Sequence, residues 1–245
     1  MLKVAVWNFK GGTGKSITTQ NLGDRLAKLK YKTALIDLDG QRTLSFGLGM
    51  DGKTPTALDW LNGEEVNPID TGIKNLSLIP GDIGMFRLST DKNLMGKSLN
   101  GLIPLDLDIC MMDCAPSLGI PSVQAILNAD RVLLPTLCEP ASLKGLSEAI
   151  ALIRDEDADK PIDVLRVRYR SRLVLTREAD DMLIEGAEEL GYRLLHNSIP
   201  ENIALAECIA QQQPVSLYDG KSAGAIAYRS LAKECRKVWG LTNAK

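Results

Sequence analysis

The sequence is poor in the features that mark membrane and secreted proteins. No apolar run approaches the roughly 18 consecutive residues that a membrane-spanning helix needs. The chain enters an apolar strand almost at once, without a basic region followed by an apolar segment and a cleavage site, so we expect no secretory signal. The expected location is therefore the cytoplasm, without stable membrane insertion.

Cysteine and histidine are also scarce. The five cysteines are an odd number without a C-x-x-C pair, and the one histidine is His196, so the chain lacks a zinc-ligand set. We interpret the cysteines as reduced and mostly buried. The net charge of −2 excludes a protein that coats nucleic acid over its whole surface, and any DNA contact must therefore use a local patch.

The length of 245 residues suits one large α/β domain, and we predict a single domain over residues 1–245. Residues 2–22 predict a buried strand, a glycine-rich turn and the start of a helix. Gly11, Gly12 and Gly14 allow the backbone to turn sharply and to bring its N–H groups close to a phosphate. The positive end of the following helix dipole favours the same negative charge.

Two polar residues complete this phosphate-binding motif. Lys15 supplies a charge for the β- and γ-phosphates, and Ser16 supplies a hydroxyl for Mg²⁺. The ordinary pattern G-x-x-x-x-G-K-[ST] nevertheless fails at its first position, where this chain has Phe9. A second lysine, Lys10, follows it.

The run K-G-G-T-G-K-S, residues 10–16, resembles the deviant Walker A motif of the ParA/MinD family of ATPases. The resemblance implies that the cofactors are ATP and Mg²⁺ and that the nucleotide is bound by the whole segment from Lys10 through Thr13 to Ile17. It also implies that Lys10 reaches across a homodimer interface to the partner's nucleotide.

A second strand, predicted over residues 33–37, runs into Asp37 and Asp39 at the carboxyl end of the sheet, where open α/β folds bind ligands. Their spacing points both carboxylates to one side, towards the phosphates and the metal. The segment resembles the family motif D-x-D-P-Q, which implies that Asp39 lies next to the attacking water. Gly40 stands where the family usually has proline, so we expect a more mobile loop. The alternative is an acidic turn that caps the next element.

A third apolar run, residues 107–113, also ends in a carboxylate. This is typical of a Walker B strand, and Asp113 would hold Mg²⁺ directly or through water, although it could also cap a turn. The predicted metal residues are thus Ser16, Asp37 and Asp113. With one complete site assigned in this way, Lys10 is left without a role inside its own chain.

Strands alternate with helices along most of the sequence, which predicts a doubly wound, mostly parallel α/β sheet flanked by helices, the P-loop NTPase fold of the deviant Walker A type. One of these helices is predicted over residues 176–190, with Thr176 as its cap.

Arginines alternate along residues 166–172. In a strand, Arg166, Arg168 and Arg170 would line one face, which a buried central strand could not accommodate if the charges were unpaired. Either this is an edge strand with a solvated arginine face, or the later arginines lie in a loop at the carboxyl end. There, Arg170 and Arg172 could meet nucleotide, a dimer partner or DNA phosphate.

The C-terminal part, from residue 198 onward, resembles ParA-type partition ATPases. The resemblance implies that Pro200 and Asn202 contribute to the adenine pocket. The last predicted helix, 223–238, carries basic residues, and related proteins bind DNA without sequence preference near this end; a solvated helix face is the alternative. The DNA candidates on this helix are Arg229, Lys233 and Arg236.

Together these residues and the resemblance imply a dimerising Mg-ATPase in which Lys10, Lys15 and Asp39 carry catalysis. The expected role is the segregation of plasmid or chromosomal DNA, on the nucleoid, with a ParB-like partner that stimulates hydrolysis. The alternatives are a MinD-like regulator that cycles on membranes and a ParA-like protein that positions another cargo. A metabolic P-loop kinase is a further alternative, kept open by the arginine run at 166–172.

Overall fold

Strands and helices alternate along the chain. The computed structural model describes residues 1–89 and 92–242. The strands are Leu2–Val6 (β1), Thr33–Asp37 (β2), Ile69–Asp70 (β3), Leu76–Ile79 (β4), Ile109–Asp113 (β5), Arg131–Leu137 (β6), Ile162–Val167 (β7) and Arg193–Leu194 (β8). The α-helices are Lys15–Lys28 (α1), Thr43–Gly47 (α2), Ala57–Leu61 (α3), Leu94–Gly101 (α4), Ile120–Asn128 (α5), Pro140–Glu156 (α6), Val174–Glu189 (α7), Ile203–Ala210 (α8), Val215–Tyr218 (α9) and Ala223–Val238 (α10). Within these ranges, no helix has the length and apolar character needed to cross a bilayer.

The strands form one sheet in the order β3-β4-β2-β5-β1-β6-β7-β8. Every pairing is parallel except that of β3 with β4. The first strand lies in the middle, between β5 and β6, so the chain builds the sheet in both directions from β1. This confirms the predicted doubly wound, mostly parallel fold.

Both faces of the central strands are covered, which explains their nearly continuous apolar sequences. Val4 and Val6 on β1 pack in a core layer with α1 and α10. The alternate residues Ala5 and Trp7 belong to the opposite layer, with α4, α5 and α6. All five residues of β2 and of β5 are buried.

The arginine run is divided between strand and loop. Arg166 lies within β7, which is not an edge strand because β8 pairs beyond it. Its guanidinium is buried but paired, with Nη1 2.8 and 3.1 Å from the two carboxylate oxygens of Asp180 on α7. The arginines from Arg168 onward follow the end of β7, as the loop alternative predicted. Pairing removes the electrostatic objection to a buried arginine in an inner strand.

Helix α7 begins earlier than predicted. Leu173 occupies its N-cap position without a side-chain hydrogen bond, and Thr176 is buried inside the first turn. The prediction that Thr176 caps this helix was therefore wrong. The first helical residues, Val174 and Leu175, are exposed and aliphatic, and no Ser, Thr, Asp or Asn stands at the N-cap position to mark the start of the helix.

A buried carboxylate joins the far edge of the sheet to the chain after α10. Asp163 on β7 accepts hydrogen bonds at Oδ2 from Arg131 Nη1 at 2.5 Å and from Trp239 Nε1 at 2.8 Å. Arg193 Nη1 lies 3.6 Å from its Oδ1. The Arg131 guanidinium also stands over the Trp239 ring, 5.6 Å from its centroid.

We predict that Asp163→Ala lowers the free energy of unfolding by about 3–5 kcal/mol, because the variant leaves the buried Arg131 charge without its partner. Urea unfolding measures this loss. The matched control is Glu148→Ala, which breaks an exposed pair with Lys144 on α6 and should change stability by less than about 0.5 kcal/mol. Equal effects of the two substitutions would contradict the prediction.

Candidate functional site

Three neighbouring strands end side by side at the carboxyl edge of the sheet. The register pairs Asp113 at the end of β5 with Val6 on β1 and with Asp37 on β2. The direction in which the chain builds the sheet reverses at β1, and ligands bind at such switch points in open α/β folds. The loop after β1 and both carboxylates therefore meet at one place.

The glycine-rich loop after β1 adopts the conformation that its sequence predicts. Gly12 and Gly14 have φ angles of 74° and 76°, in the left-handed region that favours glycine. Asn8 anchors the loop, since its carboxamide donates to Pro135 O at 2.9 Å and accepts from Lys10 N at 3.0 Å. No side chain caps α1, so its first N–H groups can bind an anion. The loop comprises Lys10, Gly11, Gly12, Thr13 and Gly14 and leads into Lys15, Ser16 and Ile17 of α1.

Lys15 is the buried cation of the site, with only 7% of its surface exposed. Its Nζ lies 3.3 Å from Lys10 O, an oxygen that also accepts a hydrogen bond from the Thr13 hydroxyl. Burial lowers the pKa of Lys15, while the negative charges of Asp113 and Asp39 act to raise it. The ammonium is thus placed among carboxylates next to the loop.

Asp113 is fully buried, and burial together with the neighbouring Asp37 raises its pKa well above the ordinary value. The hydroxyl groups of Ser16 and Thr19 hydrogen-bond to its carboxylate. Its Oδ2 is buried and has no hydrogen-bond partner among the described residues. An unpaired acceptor beside a serine hydroxyl fits Mg²⁺ or a water bound to Mg²⁺.

Within residues 1–89 and 92–242, no group of three or more histidine, cysteine and acidic side chains could hold a metal ion. A metal at this place would therefore depend on Ser16, on Asp113 and on the phosphates of a bound nucleotide. This is the usual arrangement for Mg²⁺, which binds one or two protein side chains together with substrate phosphates.

Asp37 and Asp39 have different surroundings. Oδ2 of Asp37 accepts from Ser45 N at 2.9 Å and from Ser45 Oγ at 2.6 Å, and its Oδ1 accepts from Asp39 N at 3.2 Å. Asp37 thus holds the start of α2, as in the alternative of a capping turn, and burial raises its pKa to about 6. Asp39 accepts from Gln41 N at 2.9 Å and lies near Lys15.

Lys10 has partners within its own chain. Its Nζ donates to Ser142 Oγ at 2.8 Å and lies 3.6 Å from Glu139 Oε2, both at the start of α6. The expectation that Lys10 has no task in the nucleotide site of its own chain stays a prediction, but its side chain is not free of partners within the chain. No local pattern could reveal this contact, because Ser142 follows 132 residues later.

A cleft of about 400 Å³ lies beside the glycine-rich loop. Gly12, Gly14 and Ile17 line one side, and Pro200 and Asn202 line the other, so the predicted base and phosphate residues are neighbours. Asn202 Oδ1 is buried and has no hydrogen-bond partner among the described residues. An unpaired carboxamide oxygen there can accept from an N–H group such as the amino group of a base.

Sequence reasoning missed the tyrosine that closes this cleft. Tyr228 on α10 lines it, is completely buried, and has its hydroxyl 3.0 Å from Thr18 Oγ1 on α1. Burial raises the pKa of this phenol well above its ordinary value. The only available signal was its position in an amphipathic helix, which does not distinguish a core residue from a pocket residue.

The two loop arginines proposed for DNA differ in their contacts. Arg170 Nε and Nη2 lie 2.5 and 2.6 Å from the two carboxylate oxygens of Glu201, and Arg168 Nη2 lies 3.2 Å from Oε1. These contacts lower the pKa of Glu201 to about 2. Arg172 is exposed.

The three DNA candidates on α10 form a separate group. Arg229, Lys233 and Arg236 are all exposed, and their spacing places them on one face of the helix. The chain after α10 contacts the first residues of β7 through Trp239 and Asp163, whereas the loop arginines follow the end of that strand.

Comparison with known proteins agrees with this geometry. A protein-family model described as an AAA domain matches residues 1–161. The chromosome partitioning protein ParA of Myxococcus xanthus is 30% identical over 96% of this chain and 87% of its own length. The chromosome-partitioning ATPase Soj of Treponema pallidum is 29% identical over 93% of this chain and 94% of its own.

The structure of the septum site-determining protein MinD of Pyrococcus horikoshii, solved with Mg-ADP, superposes with a TM-score of 0.82 and 25% identity over 98% of each chain. The superposition agrees with the sheet described above, and the family model covers the glycine-rich loop and the strands that end in Asp37 and Asp113. The chain belongs to the ParA/MinD family of P-loop ATPases.

Proposed function

We propose that the protein is a Mg-dependent ATPase that dimerises on ATP, binds DNA without sequence preference and drives the segregation of plasmid or chromosomal DNA. The observation that carries the dimeric mechanism is the position of the two lysines. Lys15 is buried among the carboxylates of its own site, whereas the ammonium of Lys10 lies outside that site against α6. A lysine placed there is available to a second subunit.

Each residue of the site receives one task in this mechanism. The loop amides and Lys15 bind the phosphates, and Asp39 orients the attacking water. Lys10 of the opposite subunit neutralises the charge that develops on the transferred phosphoryl group. Pro200 and Asn202 hold the adenine in the cleft.

Ser16 and Asp113 would hold Mg²⁺, which supplies neutralisation of the β- and γ-phosphate charge when it is bound. The unpaired Oδ2 of Asp113 supports this assignment. The metal role of Asp37 stays a prediction, since Ser45 and the Asp39 amide occupy both oxygens of its carboxylate.

The cellular role rests on the partition proteins among the relatives. In this role the ATP dimer sits on nucleoid DNA in the cytoplasm, and a ParB-like partner stimulates hydrolysis and release. The exposed basic face of α10 is the main candidate for the DNA contact. Helix α10 also packs Tyr228, Leu231 and Cys235 completely into the core, which disfavours a MinD-like role in which this helix folds on lipid.

We predict that Lys10→Ala lowers kcat by about 100-fold or more and leaves the affinity of one subunit for ATP nearly unchanged, because the lost charge acts only on the partner's transition state. Steady-state ATPase assays and nucleotide titrations measure the two quantities. Lys15→Ala is the contrasting variant, since it should weaken ATP binding itself.

A mixture of two inactive variants distinguishes action on the partner from action within one chain. When Lys10→Ala and Asp39→Ala subunits pair, one site of the mixed dimer regains both residues, and random pairing restores about a quarter of wild-type turnover. A mixture that stays inactive although mixed dimers form would contradict the action of Lys10 on the partner.

Without bound metal, the free energy of unfolding of the protein should fall as pH rises. The pKa of Asp37 is raised from 3.8 to about 6, and that of Asp113 is raised as well, so above pH 3.8 the folded chain binds more protons than the unfolded chain. In EDTA the free energy of unfolding should therefore fall as pH rises through about 6. Urea midpoints at pH 5 and pH 8 measure the fall.

Asp113→Asn removes the buried charge, so it should flatten this profile and exceed wild-type stability at pH 8 in EDTA. The same variant should lose most of the stabilisation that Mg²⁺ with ATP gives the wild type. A full response to Mg²⁺ with ATP would remove Asp113 from the metal site, and an unchanged pH profile would contradict the cost of its buried charge.

The ATP-loaded protein should bind nonspecific duplex DNA at low salt, with an affinity that falls steeply as salt rises. Arg229→Ala and Lys233→Ala should each reduce the slope of log K against log salt by about 1, whereas Lys144→Ala, an exposed lysine on α6, should leave it unchanged. Co-sedimentation with DNA and with anionic liposomes, each in ATP and in ADP, shows whether the protein binds DNA or membrane. Retention on liposomes without retention on DNA would replace the segregation role by a membrane-cycling role.

A further inference from the structure

A phenylalanine ring occupies the space beside the glycine that follows the proposed water-positioning carboxylate. A Cβ atom on Gly40 would lie 2.6 Å from Cδ2 and Cε2 of Phe86 and 2.9 Å from its Cζ. Real Cβ contacts are almost never this short. The φ angle of Gly40 lies outside the left-handed region, so its backbone conformation does not require glycine. A side chain at position 40 would therefore have to displace the Phe86 ring.

This contact changes the interpretation of a departure from the family motif. Glycine in place of the usual proline predicted a mobile loop. In the structure Gly40 is buried, and the Phe86 ring fills the space that a proline ring at position 40 would need. The missing proline is thus accompanied by a different restraint on the same peptide.

Phe86 is poorly explained as a core residue. It is 59% exposed, whereas its neighbour Met85 is only 4% exposed and anchors the same short 3-10 helix, Ile83–Arg87. The Asp82 side chain caps this helix by accepting a hydrogen bond from Gly84 N. One side of the Phe86 ring thus lies against Gly40 and much of the rest is open to solvent, on a helix that is held by other residues.

The segment before this helix is tied to the other end of the same loop. Gly81 N donates to Ser45 Oγ at 2.8 Å, and Ser45 Oγ donates in turn to Asp37. A small cavity next to Phe86 and Gly40 is also lined by residues 115–122, the segment that follows the proposed metal ligand. The Phe86 ring therefore lies where the loops that follow β2 and β5 meet.

We propose that Phe86 is a positioning residue for Asp39. Its ring packs on the Gly40 backbone and restrains the peptide that joins the two residues, which holds the Asp39 carboxylate towards the phosphate site. This inference rests on the proposed ATPase mechanism. The Asp39 carboxylate accepts a hydrogen bond from Gln41 N, and its backbone oxygen accepts one from Arg42 N at 2.8 Å. Both donors belong to the same loop, so the Phe86 ring adds a contact from outside the loop. Displacement of a reacting group by about 1 Å can cost up to 100-fold in rate.

The test begins with Phe86→Ala in the full-length protein. We expect kcat to fall by about tenfold, with the ATP dissociation constant and the urea midpoint nearly unchanged, because the ring touches the loop and not the nucleotide cleft. The matched control is Ile83→Ala, which removes an equally exposed side chain from the same 3-10 helix and should leave kcat unchanged. A normal kcat in Phe86→Ala, or an equal loss in the control, would overturn the proposal.

Gly40→Ala tests the same contact independently, because the added methyl group displaces the Phe86 ring from the backbone of residue 40. We expect a kcat loss similar to that of Phe86→Ala, and no further loss in the double variant, since both substitutions remove one contact. Additive losses in the double variant, about 100-fold in all, would show that the two residues act separately and would overturn the proposal.

A third comparison shows whether the ring acts through Asp39. In an Asp39→Ala background, Phe86→Ala should leave the residual hydrolysis unchanged, and a further fall would overturn the proposed route. Failure of the proposed ATPase mechanism would give a different result from failure of the positioning role. In that case the wild type would not hydrolyse ATP, or Asp39→Ala would hydrolyse it normally. Normal dependence on Asp39 with no effect of Phe86 would overturn the positioning role alone.

Discussion

The structure depends on the burial of one cation among carboxylates at the ends of three central strands. Lys15 and Asp113 are each largely or fully removed from water, and burial disfavours the charged form of both. Removing Lys15 would leave the buried carboxylates without their cation, a loss of several kcal/mol in typical cases. The mutual attraction of Lys15 and Asp113 offsets part of the penalty of burial. A bound Mg²⁺ would add positive charge beside the same carboxylates, while the loop amides and Lys15 face the phosphates.

The C-terminal half of the chain fixes the helix on which this site is built. Helix α1 is held on three successive turns: by Thr18 to Tyr228 at 3.0 Å, by Asn21 to the Val215 amide at 2.7 Å, and by Arg25 to a carbonyl on α10 at 3.3 Å. These positions follow the spacing of one helix face. The helix that follows the glycine-rich loop is therefore joined directly to α9 and α10.

Sequence reasoning succeeded where a function depends on neighbouring residues and failed where it depends on residues far apart in the chain. The left-handed turn at Gly14 and the strand that ends at Asp113 follow from local glycine and apolar patterns. The contact of Lys10 with Ser142 has no local signal. The same holds for Arg166, which looked incompatible with an inner strand because its partner carboxylate lies on α7. Buried pairs make a charged residue acceptable in a core, and pairing is a property of the fold.

The contacts of Lys10 in the single chain bear on how a dimer can form. Glu139 and Lys10 are 59% and 37% exposed, and exposed ion pairs of this kind are worth about 0–1 kcal/mol. The hydrogen bond to Ser142 adds on the order of 1–2 kcal/mol, because its donor is charged and its acceptor is neutral. A bond from the same ammonium to a phosphate has charge on both partners and is stronger. The contacts within the chain therefore hold the Lys10 ammonium at the start of α6 only weakly, and under the proposed mechanism they are exchanged for a partner's nucleotide.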